Sequence, residues 1–164
     1  MDEDAIDIEL RAPSEVAGRC IVLAALLRRL SLESLDTNTH AEERSTDAFD
    51  ILLWLRSEGF GDTLTSSELD HLSRPVGDLR EEENRAFVEP AEGLTTLGWA
   101  LNLGDSLAFH QTAEVATLIS SIPSPWEDTS SWLRAAQLRT EDEIARERER
   151  TEVTFWRIRI EPER

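Results

Sequence analysis

Residues 16–30, VAGRCIVLAALLRRL, decide the fold. Val16, Cys20, Leu23, Leu27 and Leu30 step by four and three, which draws one face of a helix, while Ile21, Val22 and Leu26 make its middle apolar nearly all round. A helix with no wet face has to be surrounded. The run Cys20–Leu27 is closed by Arg19 and Arg28, far short of the roughly 20 apolar residues that span a bilayer, so the helix belongs at the centre of a water-soluble bundle and no membrane span is expected.

Outward from that helix the period stays helical. The sequence predicts a second helix starting near Thr39, where Thr39 and Glu42 form a Thr-x-x-Glu capping box, running through FDILLWL (49–55) and stopping at Gly59. The same box recurs at Thr65–Glu68 and Thr140–Glu143, with a looser copy at Asp78–Glu81. Pro75, Pro90, Pro123 and Pro125 mark breaks, because each lacks an amide proton and disfavours helix just before it. Pro90 is expected in the first turn of a helix that carries LTTLGWALNL and ends at Gly104, followed by helices over about 112–120 and 130–138 and a long last one. In the last segment VTFWRIRI (153–160) is β-branched and aromatic enough for a strand, but the acid-to-arginine spacings of Asp142, Glu143 and Glu147 to Arg146 and Arg150 favour helix. The expected architecture is all-α: a single-domain, irregular bundle of about six or seven helices over residues 12–164, preceded by a loose acidic tail at 1–11 in which Ile6, Ile8 and Leu10 offer a short edge strand.

A chain of 164 residues buries about 70% of its unfolded surface and needs no metal or disulfide staple. Its formal charge is −17, and all seventeen basic residues are arginine. Residues 140–164 hold eight acids and six arginines, net −2, which leaves −15 on residues 1–139. Such a field repels phosphate backbones and anionic membranes, so nucleic acid is an unfavoured partner and a basic protein a favoured one. Acidity for solubility, or adaptation to a salty cytoplasm, accounts for the same numbers. Cys20 has no second cysteine to pair with, and Asp2, Glu3 and Asp4 are the reverse of a secretory leader's positive start, so a cytoplasmic location is expected.

Three stretches taken together, RAPSEVAGRCIVLAALLRRL (11–30), EGLTTLGWALNLGD (92–105) and LRTEDEIARERERTEVTFWRIR (138–159), resemble in order and spacing the bacterial domain-of-unknown-function family DUF4272. The resemblance spans nearly the whole chain and implies an all-helical fold with no agreed activity. It departs at LREEENRAF (79–87), where the family pattern expects an aromatic-Arg-Glu start.

Chemistry-bearing residues are sparse. His40, His71 and His110 fall on three different segments without ligand spacing, so no metal site is expected; Cys20 sits in the most apolar helix, a setting for a buried structural thiol. Neither a Gly-x-Ser-x-Gly elbow nor a glycine-rich phosphate loop is present, and no cofactor is implied. Glu81–Glu83 and Glu141–Glu143 open helices, where negative charge meets unpaired amides. The family-like words single out Trp99, Arg139, Glu143 and Trp156: an arginine between indole rings can hold a carboxylate or phosphate bidentately. The competing reading pairs Arg139 with Glu143 or a helix end and places both tryptophans in the core. Gly98 lets a neighbouring helix approach closely. The expected function is a non-catalytic protein-interaction module, with an enzyme or small-ligand binder using an anion pocket around those four residues as the alternative.

Overall fold

The computed structural model describes residues 10–33, 41–79, 82–83, 88–105, 107 and 112–160, with side chains left out at 112–114 and 154–160. Residues 1–9 of the expected acidic tail, Thr39 of the first capping box, Glu81, His40, His110 and the side chain of Trp156 lie outside them.

Helix α1, Pro13–Glu33, is the axis of the molecule. Proline at its first position costs nothing there, because that amide has no intrahelical partner, and Glu15 adds favourable charge in the first turn. An unbroken run from Cys20 to Leu27 is buried, together with Ala17, Gly18 and Arg29. The all-round apolar middle therefore does what its composition demands: α1 packs against α2 (Ala41–Ser57), α3 (Ser66–Ser73), α4 (Val88–Ala100) and α6 (Thr129–Ala135), most extensively against α4. Helix α5, Thr112–Ser120, packs against α4, and α7, Glu141–Ile160, completes the order. Seven α-helices, one 3-10 turn at Gly61–Thr63 and no strand occur among the described residues, an all-α irregular bundle.

Helix ends follow the local chemistry. At α3 the reciprocal box is present: the Thr65 hydroxyl accepts from the Glu68 amide at 3.2 Å, and Glu68 accepts from the Thr65 amide at 2.9 Å. Thr140 and Glu143 repeat it at the start of α7, at 3.3 and 3.0 Å. Gly59, at φ +85°, closes α2 in the left-handed conformation, with the Phe60 amide reaching back to the Leu55 carbonyl at 2.8 Å. The end of α4 differs from expectation. It stops at Ala100, not Gly104, because Asn102 takes the left-handed conformation at φ 61°, and the amides of Asn102 and Leu103 bond the carbonyls of Trp99 and Gly98 at 3.0 and 2.9 Å. Asparagine tolerates that conformation better than other side chains, so the left-handed residue comes two positions before the glycine. Similarly α6 spans Thr129–Ala135, its start set by Asp128, which accepts from the amides of Ser130 and Ser131 at 3.0 and 3.3 Å. The 153–160 segment is the last turns of α7 and not a strand.

Gly98 is buried on the α4 face that meets α5. A Cβ placed there would lie 2.8 Å from both terminal carbons of Leu118, so the absent side chain sets the approach of the two helices.

Candidate functional site

Arginines close the structure by binding main-chain carbonyls: Arg44 donates to the Leu32 carbonyl at 3.2 Å, and three others hold chain reversals, one of them organising the residues that the sequence singles out. Arg28, on the last turns of α1, donates to the carbonyls of Pro123 at 2.8 Å, Ile119 at 2.9 Å and Ile122 at 2.8 Å, holding the end of α5 and the turn after it. Burial lowers its pKa, with Glu127 acting in the opposite sense. Arg29 is buried and donates to Glu33 at 2.7 Å and to the carbonyls of Arg74 and Pro75 at 2.9 and 3.2 Å. Glu33 in turn accepts from the Gly77 amide at 2.7 Å, so the segment after α3 is stapled to the end of α1. A planar guanidinium offers five donors in a fixed fork, which suits the splayed carbonyls of a chain reversal.

Arg139 is the third. Its Nε donates to the Trp99 carbonyl at 2.8 Å, one Nη donates to the Gly104 carbonyl at 2.6 Å, and its amide donates to the Ala100 carbonyl at 2.8 Å. The guanidinium stacks over the Trp99 ring, 4.8 Å from its centroid, and its other Nη lies 3.7 Å from Glu143. Asn102 adds a bond from its side-chain amide to the Gln137 carbonyl at 3.2 Å. Positive charge at the carbonyl-rich end of a helix is favourable, so the arginine completes the α4 terminus that Asn102 begins. Arg139 keeps 16% of its side-chain surface in contact with solvent. The carboxyl of Glu143 sits below the usual range because the Thr140 hydroxyl and amide bond it, with Arg139 and Arg146 adding attraction. Trp99, Arg139 and Glu143 are thus brought together, two of them committed to helix ends; the Trp156 backbone lies more than three turns further along α7.

A model of the family described as a domain of unknown function, DUF4272, matches residues 2–162. The chain belongs to that family. No curated protein and no solved structure matches it. The three DUF4272-like stretches now have places: the first is the central helix, the second is α4 with its asparagine-closed end, and the third carries the arginine that docks on that end together with the start of α7. The shared words describe one joint as much as three helices.

The lone cysteine of this DUF4272 chain is buried in α1. Burial pushes the Cys20 thiol up to about 12, against a smaller opposing effect of Arg19. No cluster of His, Cys, Asp and Glu suited to a metal ion occurs among the described residues, and none of their helices is long and apolar enough to cross a membrane. His71 lines a hollow of about 230 Å³ with Leu26, Glu68 and Pro90. A neighbouring cleft of about 430 Å³ continues past Arg19, Glu68 and Gly93. Arg19 binds both oxygens of Glu68 there. Burial alone would raise the Glu68 carboxyl, but the bonds from Arg19 and Thr65 outweigh it and hold it below its ordinary value.

Two surface features escape a reading of motifs. Phe49 and Leu53, one turn apart on α2, are exposed although they sit in its most apolar stretch. Trp126 is exposed as well, at φ 69°. The FDILLWL run contains more apolar residues than one buried helix face can use, a signal present in the sequence for the first pair.

Proposed function

We propose that the protein is a non-catalytic interaction domain that binds a basic protein. The observation that carries this reading is the outward pair Phe49 and Leu53, with Glu42 exposed two turns earlier on the same face and Asp50 beside it. Large apolar side chains ringed by polar ones mark contact surfaces, and a body of charge −15 over residues 1–139 selects a partner of opposite sign. The test is capture of a basic partner from the native lysate by the immobilised protein, compared with Phe49→Ser/Leu53→Ser. Capture that weakens with salt and is lost in the variant supports the reading; capture untouched by the double substitution refutes it.

A second reading, a small-anion pocket at Trp99, Arg139, Glu143 and Trp156, is favoured by the stacking of the guanidinium on Trp99. An ionised Glu143 beside the arginine opposes it, since an anion would have to displace that carboxylate. Titration with inorganic phosphate, read by tryptophan fluorescence in the protein and in Arg139→Gln, separates the two readings.

A further inference from the structure

We propose that Trp126 is a second contact point, an aromatic platform that receives an arginine or lysine side chain of the basic partner. This rests on the reading of the protein as a binder of a basic protein, and uses a different surface.

Trp126 stands where the fold least favours it. The Glu127 amide bonds the Ser124 carbonyl at 3.0 Å, closing a turn with Pro125 and Trp126 as its central residues, and Trp126 has φ 69°. A turn with proline second and a left-handed residue third is the kind in which glycine or asparagine normally takes the third place. A bulky side chain is strained there. Burial does not offset this, because 56% of Trp126 remains exposed. Within the chain, then, the indole is disfavoured by backbone geometry and more than half of it stays in water.

The platform beneath it is fixed. Arg28 holds the carbonyls of Ile122 and Pro123 on one side. On the other, the buried Thr129 hydroxyl donates to Glu58 at the end of α2, and Asp128 caps α6. Within the turn, Glu127 accepts from the Ser124 amide at 2.8 Å. An aromatic side chain on a pinned turn loses little freedom on binding, which is how a few exposed tryptophans come to dominate interfaces.

The surroundings specify the occupant. Beside the turn lies an open cleft of about 410 Å³ lined by Pro123, Glu127, Asp128, Ser131 and Trp132. Two carboxylates and a second indole next to an exposed indole suit a cation: the ring face attracts it and the carboxylates accept its N–H groups. The formal charge of −17 concentrates such a partner near the surface.

The test uses a fluorescein-labelled hexa-arginine peptide, followed by anisotropy, with a Gly/Ser peptide of equal length as the neutral control. Trp126→Gly relieves the backbone while removing the ring, so it is expected to melt no lower than the parent and to bind hexa-arginine about tenfold more weakly. The α2 face is read by lysate capture with Phe49→Ser/Leu53→Ser and the turn by the hexa-arginine affinity of Trp126→Gly, so failure of the one and failure of the other are told apart. The proposal is overturned if Trp126→Gly binds hexa-arginine as tightly as the parent, if the neutral peptide binds equally well, or if the glycine variant melts lower, which would make Trp126 a structural residue.

Discussion

Replacing Arg29 with alanine is expected to be among the most damaging single changes in the molecule. Arg29 and Glu33 are 0% and 5% exposed, one turn apart at 2.7 Å, and between them they bind two carbonyls and one amide of the segment after α3. Removing the cation leaves Glu33 buried without its counter-charge, a situation that costs about 3–5 kcal/mol. For a chain of this size 1 kcal/mol moves the melting temperature by about 2–4 °C, so a fall of roughly 10 °C is expected. The informative control is Arg29→Met with Glu33→Leu, which removes both charges. It still loses the bonds to the Gly77 amide and the Arg74 and Pro75 carbonyls, exposed or half-buried groups for which a hydrogen bond contributes about 0.5–1.5 kcal/mol net, so it should recover most of the loss and not all of it. Urea and thermal unfolding by circular dichroism measure both. A single variant costing under about 1 kcal/mol, or a double variant no better than the single, would refute the reasoning.

Two further outcomes follow from the geometry. With its thiol pushed up to about 12 by burial, Cys20 should resist iodoacetamide in the native protein near about pH 8.5, where a free thiol is half ionised, and react fully once unfolded; rapid native labelling counted by mass spectrometry would contradict its burial. Glu68 has a folded pKa below its unfolded value of about 4.3, so its stabilisation is fully present above that pH and is lost as pH falls through the lower folded value. Glu68→Gln should therefore lower the urea midpoint at neutral pH and flatten its decline in acid, and an unchanged acid limb would show that Arg19 does not hold this carboxylate.

The central helix was legible because its apolar residues leave no face for water, and the boxes at Thr65 and Thr140 because each pairs a hydroxyl with a carboxyl three residues on. The end of α4 was not, because Leu101 and Leu103 carry the apolar pattern past the point where Asn102 turns left-handed. Arg29, which follows the Arg28 that closes the apolar run, is buried; its spacing of four to Glu33 was the available sign, and only the fold supplies Arg74 and Pro75 as its remaining partners. Of the candidate site, the sequence picked out Trp99, Arg139 and Glu143, which do meet, but not that the guanidinium binds carbonyls of the α4 end. Trp126 was hidden because Ser-Pro-Trp-Glu obeys turn preferences at its second position and breaks them at its third.

The use of guanidinium forks to hold loops has a consequence for how such a molecule can be recoded or regulated. Lysine at all seventeen basic positions would keep the formal charge of −17, yet a single ammonium cannot span the carbonyl sets that Arg28, Arg29 and Arg139 bridge, so the connecting segments would loosen while electrophoretic behaviour stayed almost the same. The same choice leaves no lysine amine for acylation or ubiquitin conjugation: reversible marking of the side chains falls to hydroxyls, carboxylates, imidazoles, the thiol or the guanidinium groups themselves.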